Sequence, residues 1–183
     1  RDRVAARRGG AAPTLAVYYG FSRSSVDFGR RSFGAAAFDA WRVEMDALLA
    51  QPGVTYVGMV DHATLARGYA AAGLLLYPTS YPETGCVTLM KAQALGAIPV
   101  TSRYANSTLP ELTRGFALGL HTPLRARAGA LSAARGGDAA WVQTYVDAVV
   151  DAAARAARGE LRAHREAMKR DARARFPWRR VAA

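Results

Sequence analysis

Between Pro78 and Gly96 the sequence sets a carboxylate, a glycine and the start of a helix close together along the chain. A loop from Pro78 to about Thr84 leads into a helix predicted over Cys86 to Leu95, and Gly96 is placed to end it. The N–H groups that open a helix lack intrahelical partners and carry about half a unit of positive charge, which suits a phosphate. Gly85 has no side chain to obstruct a backbone approach, and Glu83 and Thr84 stand just before it. A carboxylate accepts from two sugar hydroxyls while neighbouring amides face phosphates, so one short segment can read both ends of a sugar diphosphate. A plainer reading of Glu83, as a first-turn acid that complements the helix dipole, stands beside this one on residue types alone.

Other chemistries find less support. His62, His121 and His164 are far apart and have no acidic or cysteine neighbours at ligand spacing, so no metal site is expected and each reads as a surface or packing residue. Cys86, the only cysteine, lies at a predicted helix N-terminus that would lower its pKa, but its apolar neighbours favour a packed thiol. No phosphate-binding loop of the Gly-x-x-x-x-Gly-Lys-Ser/Thr type and no Gly-x-Gly-x-x-Gly after a strand occurs. Ser24, Ser25, Ser32 and Ser80 lack the flanking glycines of a nucleophile elbow. Trp141, Tyr145, Phe176 and Trp178 sit at helical or terminal positions that favour core packing over base stacking.

The elements that would hold such a loop alternate. Leu15–Tyr19, Val54–Gly58, Gly73–Tyr77 and Ala97–Thr101 are short apolar or β-rich runs that read as strands. Between them Phe38, Trp41, Met45, Leu48 and Leu49 recur at helical spacing until Gln51-Pro52-Gly53, and Asp61 is a suitable N-cap for a helix through Leu65 and Tyr69. The stretch between the first strand and Phe38 is polar and glycine-containing and reads as a connection. Strands apolar on both faces, alternating with amphipathic helices, predict an α/β fold with a doubly wound, mainly parallel Rossmann-like sheet covered on both sides. The expected organisation is a helical lead-in over 1–12, a Rossmann-like unit over 13–124, an irregular connection over 125–138 and C-terminal helices over 139–183. Trp141, Tyr145 and Val149, with Val142, Val146 and Val150, give those helices one apolar stripe, Leu161, Met168 and Ala172 a weaker second, and Gly159 separates them.

Length and composition fit this. A chain of 183 residues with 51% apolar residues can bury a core. No apolar run reaches the roughly 18 residues of a membrane span, the first thirty residues lack a signal-peptide hydrophobic region, and one cysteine permits no intrachain disulfide, which together predict a cytoplasmic protein. The Asn106-Ser107-Thr108 sequon carries little weight in that setting. The formal charge of +11 is confined to the ends: residues 1–31 hold seven Arg against two Asp, residues 151–183 hold ten Arg/Lys against four Asp/Glu, and the middle is balanced at eight against eight. A neutral centre argues against a nucleic-acid-binding domain. The basic ends read as solvated helix faces, with binding to an anionic membrane surface or anionic polymer as the alternative use.

The run Tyr77-Pro78-Thr79-Ser80-Tyr81-Pro82-Glu83-Thr84-Gly85-Cys86-Val87, followed by Lys91-Ala92-Gln93-Ala94-Leu95-Gly96-Ala97-Ile98-Pro99-Val100-Thr101, resembles the donor-site signature of family 4 retaining glycosyltransferases. Pro52–Gly58, Leu109-Pro110-Glu111-Leu112 and Phe176–Ala182 resemble further ordered segments of that family, so the likeness spans roughly residues 13 to 183. The resemblance implies a GT-B enzyme, in which two Rossmann-like domains face one another and the second binds the nucleotide sugar. It gives Glu83 and Thr84 the donor-sugar hydroxyls, the backbone of Gly85, Cys86 and Val87 the sugar and diphosphate, and Met59 and Val60 the side of the base. A UDP- or GDP-sugar would be the substrate, with no metal or other cofactor needed. Where the family has a second glutamate that accepts from the ribose, this sequence has Lys91, which only donates. Lys91 can reach a ribose oxygen or a phosphate, pair with Glu83, or stand solvated. The family's phosphate-binding arginine and lysine and its acceptor domain, which carries the catalytic-site histidine, would precede Arg1. The sequence, opening in mid-pattern without Met, therefore reads as a fragment that binds donor weakly and transfers little.

Overall fold

The computed structural model describes residues 12–79, 82–104, 107–119, 123–124 and 139–177. Residues 1–11 of the expected lead-in over 1–12, Ser80, Tyr81, Asn106, His121, the connection over 125–138 and the segment from Trp178 onward lie outside the described residues. The elements run β1 (Leu15–Val17), α1 (Arg23–Phe33), α2 (Ala35–Leu49), β2 (Val54–Tyr56), α3 (His62–Ala71), β3 (Leu74–Tyr77), α4 (Val87–Leu95), β4 (Ile98–Thr101), β5 (Arg103–Tyr104), α5 (Leu109–Thr113), β6 (Pro123–Leu124), α6 (Ala139–Ala157) and α7 (Arg162–Arg175). The fold is α/β with parallel pairing throughout.

The strands pair two by two, β1 with β2, β3 with β4 and β5 with β6, rather than in one ladder. In the first pair Leu15 and Tyr56 are exposed, so three-residue strands that read as fully covered have an open face. β4 is the buried centre: Leu74 to Tyr77 align with Ile98 to Thr101 on one side, and Leu118 bridges Val100 on the other. The second pairing stops at Pro99, which accepts from the Leu118 amide at 2.8 Å but has no N–H to extend the ladder toward Phe116. The Phe116 carbonyl instead meets His164 Nε2 at 2.8 Å, which requires the tautomer with the proton on Nε2. His164 is thus a packing residue, edge-on to the Phe116 ring.

Helix α1 occupies the stretch that reads as a connection. Ser22 caps it by accepting from the Ser25 amide at 3.2 Å, and Arg30 pairs with Asp39 of α2 at 3.0 Å. Its buried residue is Gly29, and a Cβ there would lie 2.2 Å from Phe38 Cε2, so absence of a side chain lets the α2 ring sit on the α1 backbone. On α2, Phe38 is buried and meets Trp41, which meets Phe21, whereas Leu48 is exposed and leaves the expected apolar stripe. Asp61 caps α3 as expected, accepting from the Thr64 amide at 2.8 Å, and that hydrogen bond lowers its carboxyl pKa.

α4 ends on Gly96 in the left-handed region, φ 100°, with the Ala97 amide reaching back to Ala92 at 2.9 Å. Val142 and Val146 of α6 are exposed, while Trp141 stacks on Tyr145 and the Tyr145 hydroxyl donates to Val100 at 2.8 Å. The stripe expected to be the weaker is the better buried: Leu161, Met168 and Ala172 are covered, and the first two join Ile98, Leu74, Phe116 and Leu118 in one cluster. Among the described residues no helix is long and apolar enough to cross a membrane.

Candidate functional site

Glu83 lies between the carboxyl end of β3 and the N-terminus of α4. Its main chain is pinned from α5: the Thr108 amide and hydroxyl both donate to the Glu83 carbonyl, at 2.8 and 2.9 Å. Thr108 stands at the N-cap of α5 but makes no side-chain capping bond, because its hydroxyl is turned to Glu83. The start of the same loop is tied to the end of β4, where Ser102 accepts from the Thr79 amide at 2.8 Å and donates back to the Thr79 carbonyl. The Glu83 side chain is held as well, since the Tyr77 hydroxyl donates to Oε1 at 2.6 Å.

Tyr77 closes β3, and its ring packs against a cluster of Cys86, Leu89 and Leu109. Burial, then hydrogen bonding to Glu83 and Cys86, pushes the phenol pKa well above its ordinary value, so the group is a lasting donor. Cys86 is 4% exposed, and burial raises its pKa despite the Leu89 and Thr88 amides nearby. Between the two readings of this thiol, the packed one holds. It makes no capping hydrogen bond to α4.

Thr84, Gly85 and Val87 of this loop are exposed, and among the described residues nothing lies within 4 Å of the position a Gly85 Cβ would take. Among the described residues the Gly85, Cys86 and Val87 amides have no backbone acceptor, and the Glu83 carbonyl that would receive Val87 in a longer helix is taken by Thr108. A half-buried carboxylate fixed on one oxygen thus lies on the same loop as helix-opening amides that have no backbone acceptor among the described residues, two kinds of group that sugar hydroxyls and phosphates use.

The other expected residues lie elsewhere. Lys91 lines a groove of about 210 Å³ between α3 and α4 with His62, Leu65 and Tyr69. Met59 and Val60 line a second cleft of about 360 Å³ beyond the carboxyl ends of β1 and β2, with Tyr18, Tyr19 and Gly58. Leu65 borders both, so the groove that Lys91 lines adjoins the cleft of Met59 and Val60. Among the described residues no cluster of three His, Cys, Asp or Glu could hold a metal ion.

Sequence reasoning missed Tyr77, Ser102 and Thr108 as parts of the site. Tyr77 reads as the last residue of an apolar run and Thr108 as the end of a sequon. Their partners are brought in by the β3–β4 pairing and by α5, and the one local signal is a hydroxyl residue at each end of the loop. Compared with protein-family models, with curated proteins and with solved structures, the chain matches none.

Proposed function

We propose that this chain is the donor-binding part of a retaining glycosyltransferase of the GT-B type, resembling family 4, and that it takes a nucleotide-diphosphate sugar, UDP- or GDP-linked. The observation that carries the reading is Glu83: a half-buried carboxylate tethered through one oxygen, two residues before an exposed Gly85 and at the start of α4, where the Gly85, Cys86 and Val87 amides have no backbone acceptor among the described residues. In this reading Glu83 and Thr84 take the sugar hydroxyls, and the Gly85, Cys86 and Val87 amides take the sugar and diphosphate. Met59 and Val60 flank the base, and Lys91 donates to a ribose oxygen or phosphate from the adjoining groove. Helix-opening amides and basic side chains supply the positive potential, so the diphosphate needs no metal. A doubly wound sheet and a facing acceptor domain belong to the same reading, as does a cytoplasmic place at or near a membrane, and the chain alone would transfer little.

The test is calorimetry of the chain with UDP-glucose, GDP-mannose and ADP-glucose, with and without Glu83→Ala. Binding of one of them, weakened about tenfold or more by the substitution as for loss of hydrogen bonds to a charged group, is the expected result. Equal binding by both proteins removes Glu83 from the site. The rival use of the basic ends on an anionic surface has less to stand on, because Arg165, Arg173 and Arg175 of α7 donate to main-chain carbonyls of the fold itself.

A further inference from the structure

We propose that Tyr77 is a positioning residue for Glu83: by holding Oε1 from inside the fold it turns Oε2 to the open side of the loop, so that sugar hydroxyls meet one preset oxygen. This rests on the donor-binding reading above. A glutamate side chain has three rotatable bonds, and fixing them upon binding weakens the complex unless they are fixed beforehand. Here the fixing is done in advance at both ends. The main chain is held by two donors from Thr108, and the carboxylate by a phenol whose ring is set in the Cys86–Leu89–Leu109 cluster. With Oε1 engaged at 2.6 Å, the acceptor capacity left on the carboxylate lies mainly on Oε2. A hydroxyl on the sugar therefore meets an acceptor whose direction is set by β3, not by its own loop.

A purely structural role for the phenol, satisfying a half-buried hydroxyl, predicts a different response. Loosening the loop would harm all ligands of α4 alike, whereas misdirecting Glu83 harms only ligands that carry the sugar. Calorimetric titration of the chain with UDP-glucose, GDP-mannose and ADP-glucose, each beside its bare nucleoside diphosphate, separates the two. The proteins are wild type, Tyr77→Phe, Glu83→Gln and the double variant, each checked by a thermal melt; Tyr77→Phe keeps the ring in its cluster.

The expected result is that Tyr77→Phe weakens binding of the nucleotide sugar about three- to tenfold, with the bare diphosphate unchanged. The double variant should bind no more weakly than Glu83→Gln, because Tyr77 acts only through that carboxylate. Should Glu83→Gln weaken the sugar nucleotide while Tyr77→Phe does not, positioning is wrong and the donor site stands. Equal loss for diphosphate and sugar nucleotide makes the phenol structural and overturns the proposal. If Glu83→Gln binds like wild type, or wild type binds none of the ligands, the donor reading fails and takes this inference with it.

Discussion

Replacing Thr108 by valine removes one hydroxyl and keeps the branched shape of the side chain. That hydroxyl donates to the Glu83 carbonyl at 2.9 Å, in parallel with the Thr108 amide at 2.8 Å. A neutral hydrogen bond of this kind contributes about 0.5–1.5 kcal/mol net. The carbonyl keeps its amide donor, so no orphaned acceptor is left, and the loss falls in the lower part of that range, about 0.5–1 kcal/mol. α5 loses no cap, because the side chain does not cap it. For a chain of 183 residues each kcal/mol moves the melting temperature by about 2–4 °C, so Thr108→Val should melt about 1–4 °C lower. If the same bond holds the loop ready for donor, affinity for the sugar nucleotide falls by the same free energy, about two- to fivefold. Differential scanning calorimetry gives the first number and titration calorimetry the second, with Thr108→Ser, which keeps the hydroxyl, as the control. A valine variant that melts with wild type, or a serine variant that falls as far as valine, refutes the role given to this hydroxyl.

Two further outcomes follow from burial and backbone geometry. Burial raises the pKa of Tyr69, Tyr77, Tyr145 and Cys86 in the folded chain, so the unfolded chain releases these protons first and stability falls as pH rises past the ordinary values of 9.0 for the thiol and 10.0 for the phenols. In an alkaline titration followed by tyrosinate absorbance, at least Tyr77 and Tyr145 of the eight tyrosines should ionise only as the chain unfolds; all eight titrating together near pH 10.0 in a folded protein would contradict the burial argument. Gly96→Ala puts a Cβ at φ 100°, 2.8 Å from Arg165 Nε, and should cost about 1–3 kcal/mol of stability, read as a lower urea-unfolding midpoint at unchanged slope, with no loss meaning that neither the left-handed turn nor the arginine contact constrains this position.

The parts of the fold legible in the sequence are those whose signal is local. Asp61 and Gly96 mark their helix ends through a short polar side chain and a missing one, and the four apolar runs contain the strands β1 to β4. Helix α1 was not legible because its packing runs through Gly29, and hydrophobic periodicity is blind to a contact made by the absence of a side chain. Nor does an apolar run say how many neighbours a strand will have. Among the described residues β4 is paired on both sides and β1 on one, a difference set by Leu118, which lies outside the apolar run itself. At the site, Glu83 and Gly85 are readable by type and spacing, but the atoms that orient Glu83 come from residues six positions before it and twenty-five after. Lys91 and Leu95, one turn apart, line the α3 groove together, and Leu65 joins that groove to the cleft of Met59 and Val60.

The basic C-terminal segment shows why a count of charges does not locate a binding surface. Arg165 donates to the carbonyls of Ala70 and Ala72, Arg173 to Ala94 and Arg175 to Leu112, at 2.8 to 3.2 Å. These carbonyls lie at the C-terminal ends of α3, α4 and α5, where the helix dipole is negative and the last acceptors lack intrahelical partners. In a parallel arrangement a helix C-terminus feeds the start of the next strand, and the three ends precede β3, β4 and the Leu118 bridge. The guanidinium groups therefore gather at the strand starts, whereas the loop with Glu83 sits beyond the strand ends. Cations placed there satisfy and join three helices without crowding the opening of α4, so three of the ten basic residues of the C-terminal segment are committed to the scaffold that holds the site in shape.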